Sequence, residues 1–324
     1  MKNFQKITKK EYGEFLGKAL FKTFFHSLEW HEFLEQQFKW LKFEYYLYKN
    51  EALFPLAIIG KKLISLPFCE YGGPLPLKHD IKIDEFERDV LEEFKNIKIK
   101  FHPRVSNPTG KIELSLSILS SHWRGDLKNI SEKELWDSLR KTLRHEIKHA
   151  QEQNLKIKKC ENLKELKAFY NLYVANLRYK KTVPYPWPLI QFLYKNAPNE
   201  LLLAFYRGEI VGGSLFLEYS GFVHYFLSAS DYKYKNLGVS YFILWEKIKS
   251  LIGKDVIFDL GASPRDSNLE IFKRGWGGTE YPIYQIGIKR EDESLRSSKL
   301  RNIWGLLPNF VIKKISSYFI KYRI

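Results

Sequence analysis

Tyr48-Lys49-Asn50-Glu51-Ala52-Leu53-Phe54-Pro55-Leu56-Ala57-Ile58-Ile59 and Tyr206-Arg207-Gly208-Glu209-Ile210-Val211-Gly212-Gly213-Ser214-Leu215-Phe216-Leu217 are two settings of one pattern. In each, an apolar run ends in Tyr, and a basic residue, Asn or Gly, and Glu follow before a second apolar run begins. Asn and Gly accept the positive φ of a tight turn, so each stretch reads as a β-hairpin. A further strand-like segment follows each, Leu63 to Phe68 and Phe222 to Leu227, and a helical segment precedes each. Two copies of an αββ unit predict a duplicated domain rather than a solenoid, which needs at least three repeats. The alternative is a chance match between two common turns. The fold class expected is α/β (α+β), in two similar subdomains.

The 324 residues suit two domains of about 150 residues. Apolar residues make up 44% of the chain, enough for two cores, and aromatics reach 16%. Such rings serve packing first and ligand clefts second. Lys and Arg number 53 against 37 Asp and Glu, a formal charge of +16 that favours polyanionic partners: nucleic acid, phosphorylated ligands or an anionic membrane surface. Cys69 and Cys160 stand apart with no metal-ligand spacing, so neither a disulfide framework nor a zinc site is expected, and no metal is indicated. No signal peptide and no apolar run of the roughly 18 residues that a span requires can be read. The expectation is a cytoplasmic protein, with the inner face of the membrane as the alternative station.

Ser27 caps a helix that carries Trp30, and a rigid loop, Glu70-Tyr71-Gly72-Gly73-Pro74, follows the first hairpin. Residues 84–95 read as a helix with Phe86, Val90, Leu91 and Phe94 inward; strands are expected at Ile97–Phe101 and Lys111–Leu119. Leu135, Leu139, Leu143, Ile147 and Ala150 predict one long helix from Glu132 to Asn154, with Arg140, Arg144 and other basic residues on its remaining faces. Residues 161–178 form another helix, with Leu163, Leu166, Phe169, Tyr170 and Tyr173 inward. Pro184, Pro186 and Pro188 stiffen the loop behind it. Strand Phe222–Ala229, loop Ser230–Gly238, helix Val239–Ile252 and strand Val256–Leu260 follow. The domains expected are 1–130 and 131–290, then a basic amphipathic tail, 291–324. Val311, Ile315, Tyr318 and Tyr322 mark one face of that tail, for docking on the protein's own core or lying at a membrane surface.

The densest segment is Phe258-Asp259-Leu260-Gly261-Ala262-Ser263-Pro264-Arg265, followed by Phe272-Lys273-Arg274-Gly275-Trp276-Gly277-Gly278. With the Arg178–Pro186 loop and the order of strands, it resembles the Fem-type peptidyltransferases and the related BioF2-like acetyltransferase domain of the GNAT superfamily. The resemblance is best from Arg140 to Ile288. It implies two tandem GNAT-like subdomains, each a mixed sheet flanked by helices, and transfer of an aminoacyl group from aminoacyl-tRNA to an amino group of a peptidoglycan precursor. By motif it places Phe272 and Lys273 at the active site. It offers Arg178, Arg140 and Arg144 for the precursor's phosphates.

The chemistry follows from the reaction. An amine attacks an ester or thioester carbonyl, the oxyanion needs stabilising, and the leaving atom needs a proton or a nearby positive charge. The Lys273 ammonium suits those needs. Asp259 either accepts a hydrogen bond at the site or caps its strand; Gly261 and Tyr185 are candidates to contact substrate. Lys233, Lys235 and Gly238 are candidates for the donor. Simple GNAT enzymes cradle a pyrophosphate with Arg/Gln-x-x-Gly-x-Gly/Ala, and here only Gly238 survives in Lys235-Asn236-Leu237-Gly238-Val239-Ser240. Lys233 and Lys235 alternate with Tyr232 and Tyr234, a pattern that can stack the bases of a tRNA acceptor end.

The function expected is a transferase that adds an amino acid or acyl group to an amino group of a phosphorylated glycan or peptidoglycan precursor. It needs no cofactor beyond the donor, aminoacyl-tRNA or acyl-CoA. The alternatives are an acyl-CoA-dependent N-acyltransferase on an amino sugar and a non-catalytic binder of anionic precursors or membrane.

Overall fold

In the computed structural model, residues 3–106, 119–287 and 304–322 are described. They form two compact units. The first comprises 3–106, 119–121, 262–265 and 280–287; the second comprises 122–261, 266–279 and 304–322.

The first unit is built on strands β1 (Phe4–Ile7), β2 (Leu41–Tyr48), β3 (Ala52–Ile59), β4 (Lys62–Ser65), β5 (Leu75–Pro76), β6 (Ile97–Lys100) and β14 (Gln285–Ile286). Their order is β1-β2-β3-β4-β6-β14, with β5 on β3. The expected hairpin is present. Lys49 and Asn50 take φ of 47° and 58°, and the Glu51 N–H donates to the Tyr48 carbonyl at 2.8 Å. Positive φ at both central residues gives the turn that matches strand twist. Lys49 is also held by Asp89 at 2.9 Å and Glu85 at 3.2 Å.

Helices α1 (Lys9–Leu16), α2 (Leu28–Gln37), α3 (Ile83–Glu93) and α4 (Pro103–Ser106) accompany the sheet. Ser27 caps α2 as expected, accepting the Trp30 N–H, and Trp30, His31 and Leu34 are buried. Phe86 and Val90 of α3 are buried, but Leu91 is exposed, because it lies off the stripe that Phe86 and Val90 define. Phe4, Tyr48, Phe54, Phe86 and Phe94 pack ring to ring at 4.9–6.2 Å, which is where much of the aromatic content goes. The strand expected at 111–119 lies almost wholly outside the described residues.

The second sheet has strands β7 (Leu119–Arg124), β8 (Lys156–Lys159), β9 (Asn199–Tyr206), β10 (Glu209–Tyr219), β11 (Phe222–Ser230), β12 (Ile257–Pro264) and β13 (Thr279–Pro282). Their order is β13-β7-β12-β11-β10-β9-β8. The helices that follow in chain order are α5 (Glu132–Ser138), α6 (Lys141–Glu152), α7 (Leu163–Tyr179), α8 (Trp187–Asn196), α9 (Val239–Lys249), α10 (Asn268–Arg274) and α11 (Asn309–Phe319).

The duplication extends beyond the hairpins. In the first unit β2, β3 and β4 are antiparallel, and β4 then pairs parallel with β6 after α3. In the second, β9, β10 and β11 are antiparallel, and β11 pairs parallel with β12 after α9. The second hairpin turns at Arg207 and Gly208, with φ of 52° and 85°.

Adjacent residues of β10 show how this sheet is covered. A Cβ on Gly212 would lie 2.6 Å from Val239 of α9; one on Gly213 would lie 2.7 Å from Phe169 of α7. Successive strand residues point to opposite faces, so α9 covers one face and α7 the other.

Two expectations for the helices need correction. The long helix from Glu132 to Asn154 is two helices, broken at Leu139 and Arg140, whose ψ values of 145° and 138° are extended. There the Arg140 N–H donates to the Gly275 carbonyl at 3.2 Å instead of continuing a helix. Periodicity survives the break because Leu135, Leu139, Leu143, Ile147 and Ala150 are all buried. On α7, Leu163 is exposed, being the first residue after the Asn162 cap.

Buried histidines give the first unit an acid-sensitive core. His31 stacks on Phe43 at 3.9 Å, and its Nε2 lies 3.0 Å from the Phe25 carbonyl. Burial pulls the pKa of both His26 and His31 down from 6.5 to about 3. Between those values the unfolded chain binds protons that the folded chain does not, so stability falls as pH drops through 6.5 and continues to fall toward 3. Each ring is expected to cost roughly 1.4 kcal/mol per pH unit in that window. Urea midpoints of wild type and His31→Gln between pH 7 and 5 check this: the variant should show the shallower slope, and equal slopes would refute it. A second expectation concerns β10. Gly213→Ala should lose about 1–3 kcal/mol by overpacking, read as a lower urea midpoint at unchanged slope.

Candidate functional site

The parallel pairing of β11 with β12 runs only from Phe222 opposite Ile257 to His224 opposite Asp259. Beyond it β11 continues to Ser230 and β12 to Pro264. His224 and Asp259 therefore stand at the last rung before the two strands part. Both are buried, at 1% and 0% exposure.

A fully buried carboxylate requires compensation. Asp259 has it on both oxygens: Oδ2 lies 2.7 Å from His224 Nδ1, and Oδ1 accepts the Gly261 N–H at 2.8 Å. An ionised carboxylate can only accept, so in this pairing Nδ1 of His224 is the donor. Gly261 adopts φ of 77°, in the left-handed region. The turn directs its N–H to Asp259 and its carbonyl to the Lys273 ammonium, which donates at 2.8 Å. His224, Asp259, Gly261 and Lys273 form one continuous polar chain.

Lys273 is 4% exposed, so it is not a solvated surface lysine. It sits in the last turn of α10, whose first turn is capped by Ser267 accepting the Glu270 N–H. The segment behind it is clamped. Buried Arg124 donates Nη1 to the Trp276 carbonyl at 2.7 Å and Nη2 to Ser138 Oγ at 2.9 Å, and binds both oxygens of Asp126 at 2.9 and 3.0 Å. Arg140 adds its backbone bond to Gly275. The break between α5 and α6 thus belongs to the support of Lys273.

The other expected residues fall into three groups. Tyr185 is buried and stacks on Phe226 at 6.1 Å, and Phe226 lies 6.0 Å from the His224 ring, so Tyr185 joins the site through one aromatic neighbour. Phe272 turns into the core, edge-on to Tyr241 at 5.3 Å and to Trp276 at 6.2 Å. Arg178 and Arg144 make their described contacts elsewhere: Arg178 donates to the Gly305 carbonyl at 3.3 Å, and Arg144 pairs with Asp137 at 3.6 Å. The Arg140 side chain is exposed.

The donor candidates stand on the turn before α9. Lys233 lies over the Tyr234 ring at 5.0 Å and Lys235 over Tyr232 at 4.8 Å. Gly238 caps α9 with φ of 64°, and a Cβ there would come within 2.9 Å of the Glu146 carbonyl oxygen. The close approach of α6 to the start of α9 therefore demands glycine, independently of any phosphate.

His224 escaped the sequence reading. A lone histidine on a strand has no spacing signal, and only the parallel register sets it opposite Asp259. The topological equivalent in the first unit carries no such pair. There the last rung of β4 with β6 is Ser65 opposite Ile99. The loop expected to be rigid closes over it: Gly72 donates to the Lys100 carbonyl at 2.6 Å, and the Gly73 N–H donates to Ser65 Oγ.

Asp259→Asn would replace the charged acceptor by an amide whose N–H2 faces one of the two present donors, so that either that donor loses its partner or the His224 ring changes tautomer. We expect a loss of about 2–3 kcal/mol, measured by urea unfolding. A loss under about 0.5 kcal/mol would show that the pair does not brace the strands.

Comparison with known proteins agrees with the resemblance read in the sequence. Residues 137–274 match the family described as "Acetyltransferase (GNAT) domain". The structure is similar to the crystal structure of FemX, at 12% identity and a TM-score of 0.60, over 87% of this chain and 96% of that one. It is also similar to the C-terminal domain of a putative lysylphosphatidylglycerol synthetase from Agrobacterium fabrum, at 12% and 0.58, over 88% and 94%. A third is L-PGS from Bacillus licheniformis, at 12% and 0.54, over 94% and 99%. At such identities the likeness is one of fold. No curated protein matches the sequence significantly.

Proposed function

We propose, for a chain whose residues 137–274 match the acetyltransferase (GNAT) domain family, that it moves an acyl or aminoacyl group from an activated ester or thioester onto an amino group of an anionic cell-envelope precursor. The observation that carries this reading is the buried chain from His224 through Asp259 and Gly261 to Lys273, placed where two parallel strands part.

In the proposed reaction the amine nitrogen attacks the carbonyl carbon, the C–N bond forms, and the C–O or C–S bond of the donor breaks. The amine must shed a proton, and His224 Nε2, oriented by Asp259, is the acceptor. Negative charge collects on the carbonyl oxygen and then on the leaving atom. The Lys273 ammonium, which donates to the Gly261 carbonyl, brings a positive charge to this network. A fixed charge in a water-poor place needs little reorganisation as the reaction proceeds, which is the condition under which it counts most.

Two observations support an anionic acceptor. The chain carries a formal charge of +16. The solved structures of similar fold include FemX and a protein titled a putative lysylphosphatidylglycerol synthetase domain, and an envelope-precursor or lipid-linked acceptor is in keeping with them. The donor is the open choice. The family match favours an acyl thioester. The basic and aromatic side chains of Tyr232–Lys235 suit the end of an aminoacyl-tRNA.

The test is transfer by the purified chain from labelled acetyl-CoA or aminoacyl-tRNA to nucleotide-linked envelope precursors and to phosphatidylglycerol. Lys273→Met keeps the apolar stem and removes the charge. It should lower kcat at least about 100-fold with the urea midpoint little changed, and Lys273→Arg should recover part of the loss. Full turnover in Lys273→Met would remove Lys273 from the mechanism. Precursor binding without transfer from either donor would favour the non-catalytic alternative.

A further inference from the structure

The described segment 304–322 has two unlike sides. Pro308 starts α11, and Ile312, Ser316 and Ile320 are buried in a row spaced by four residues. This row docks on α7: Lys313 Nζ donates to Asn171 Oδ1 at 2.6 Å, and Trp304, itself buried, packs on Phe319 at 5.7 Å. The face expected from sequence, Val311, Ile315 and Tyr318, is therefore not the buried one; Tyr322 also falls outside the described side chains. Its rival row was hidden because its middle member is a serine.

The opposite side carries Phe310, Lys314 and Tyr318, again spaced by four. Positions two apart on a helix differ by about 200°, so this row faces away from the docked one. Phe310 is 66% exposed and Tyr318 75%, and Leu306, before the helix, is 80% exposed. Of nine large apolar residues exposed among the described residues, three fall in this short segment. Lys314 and Lys321 are exposed beside them, and residues 304–322 contain no Asp or Glu. Exposed rings are costly in water unless a second surface covers them.

We propose that this outer face of α11 is a docking surface for an anionic lipid bilayer. Phe310, Tyr318 and Leu306 would enter the headgroup and upper acyl region, while Lys314 and Lys321 meet lipid phosphates, their stems lying along the same apolar band. The buried row holds the helix on α7, so the helix lies flat and presents a preformed face without having to fold at the surface. No helix among the described residues is long and apolar enough to cross a membrane, so the contact is peripheral. Charge complementarity selects an anionic bilayer over a neutral one. This surface is separate from the polar chain around Lys273 and does not depend on the transfer reaction.

The experiment is co-sedimentation of the full chain with vesicles of phosphatidylcholine alone or with about one-third phosphatidylglycerol. The chain should sediment with the anionic vesicles, less so as salt rises. Phe310→Asp with Tyr318→Asp should weaken binding at least tenfold, and Lys314→Glu with Lys321→Glu should weaken it and flatten the salt dependence. Because these side chains are exposed, thermal midpoints should change little. An environment-sensitive fluorophore on Phe310→Cys should shift to the blue only with anionic vesicles. No sedimentation at low salt, equal binding by the aspartate pair, or an unshifted fluorophore on sedimented protein would each overturn the proposal. So would a concentration-dependent dimer that the aspartate pair abolishes, which would give the face to a second copy of the chain, or binding of single-stranded RNA in place of vesicles.

Discussion

A carboxylate with no access to water must be neutralised or fully bonded, and Asp259 meets that requirement through a histidine on the neighbouring strand and a glycine two residues on. Much else in the second unit follows from it. The His224 partnership fixes the register at the last rung of the parallel pair. The Gly261 partnership goes with a left-handed backbone, which turns a carbonyl toward α10 and gives the buried Lys273 Nζ an acceptor. Arg124 then secures the far side of α10 through Trp276. The cost of burying three ionisable groups is large, and a core that retained them for packing alone would be better served by apolar residues. That imbalance is the physical reason for seeking chemistry there.

The two units use one connectivity to different ends. In the first, the place where the parallel strands part is filled by the chain's own Gly72–Gly73 loop, where Gly72 lies too close to Ser65 for any side chain and a Cβ on Gly73 would press on Phe101 at 3.2 Å. In the second, a charged chain occupies the equivalent rung. At this rung one copy has a plugged sheet, and the other holds a bonded histidine and aspartate.

How much of this could be read from sequence varies with the range of the forces involved. The hairpin turns, the Ser27 cap and the order of elements are local, and they were legible because Asn50, Gly208 and Ser27 act on their immediate neighbours. The end of the helix at Leu139 was not legible. The bond that stops it comes from Gly275, far along the chain, and leucine spacing on either side stays in phase. Of the site, Asp259, Gly261 and Lys273 stood out as a motif, but their mutual bonds depend on a turn that only Gly261's backbone discloses. His224 was invisible because strand pairing, not spacing, makes it relevant. Arg178 was read from likeness and Arg144 from likeness and its basic helix face; Arg178 donates to the Gly305 carbonyl and Arg144 pairs with Asp137, bonds that no local spacing announces.

The membership of the first unit carries a consequence for synthesis. Its sheet is completed by Gln285 and Ile286, which pair with Lys100 and Ile99. A ribosome making this chain must therefore pass from Lys100 to Gln285 before β6 gains its outer partner. Until then that strand is an unpaired edge, the kind of surface on which nascent chains join one another. Lys98 and Lys100, on the same strand, place charge along that edge during the wait.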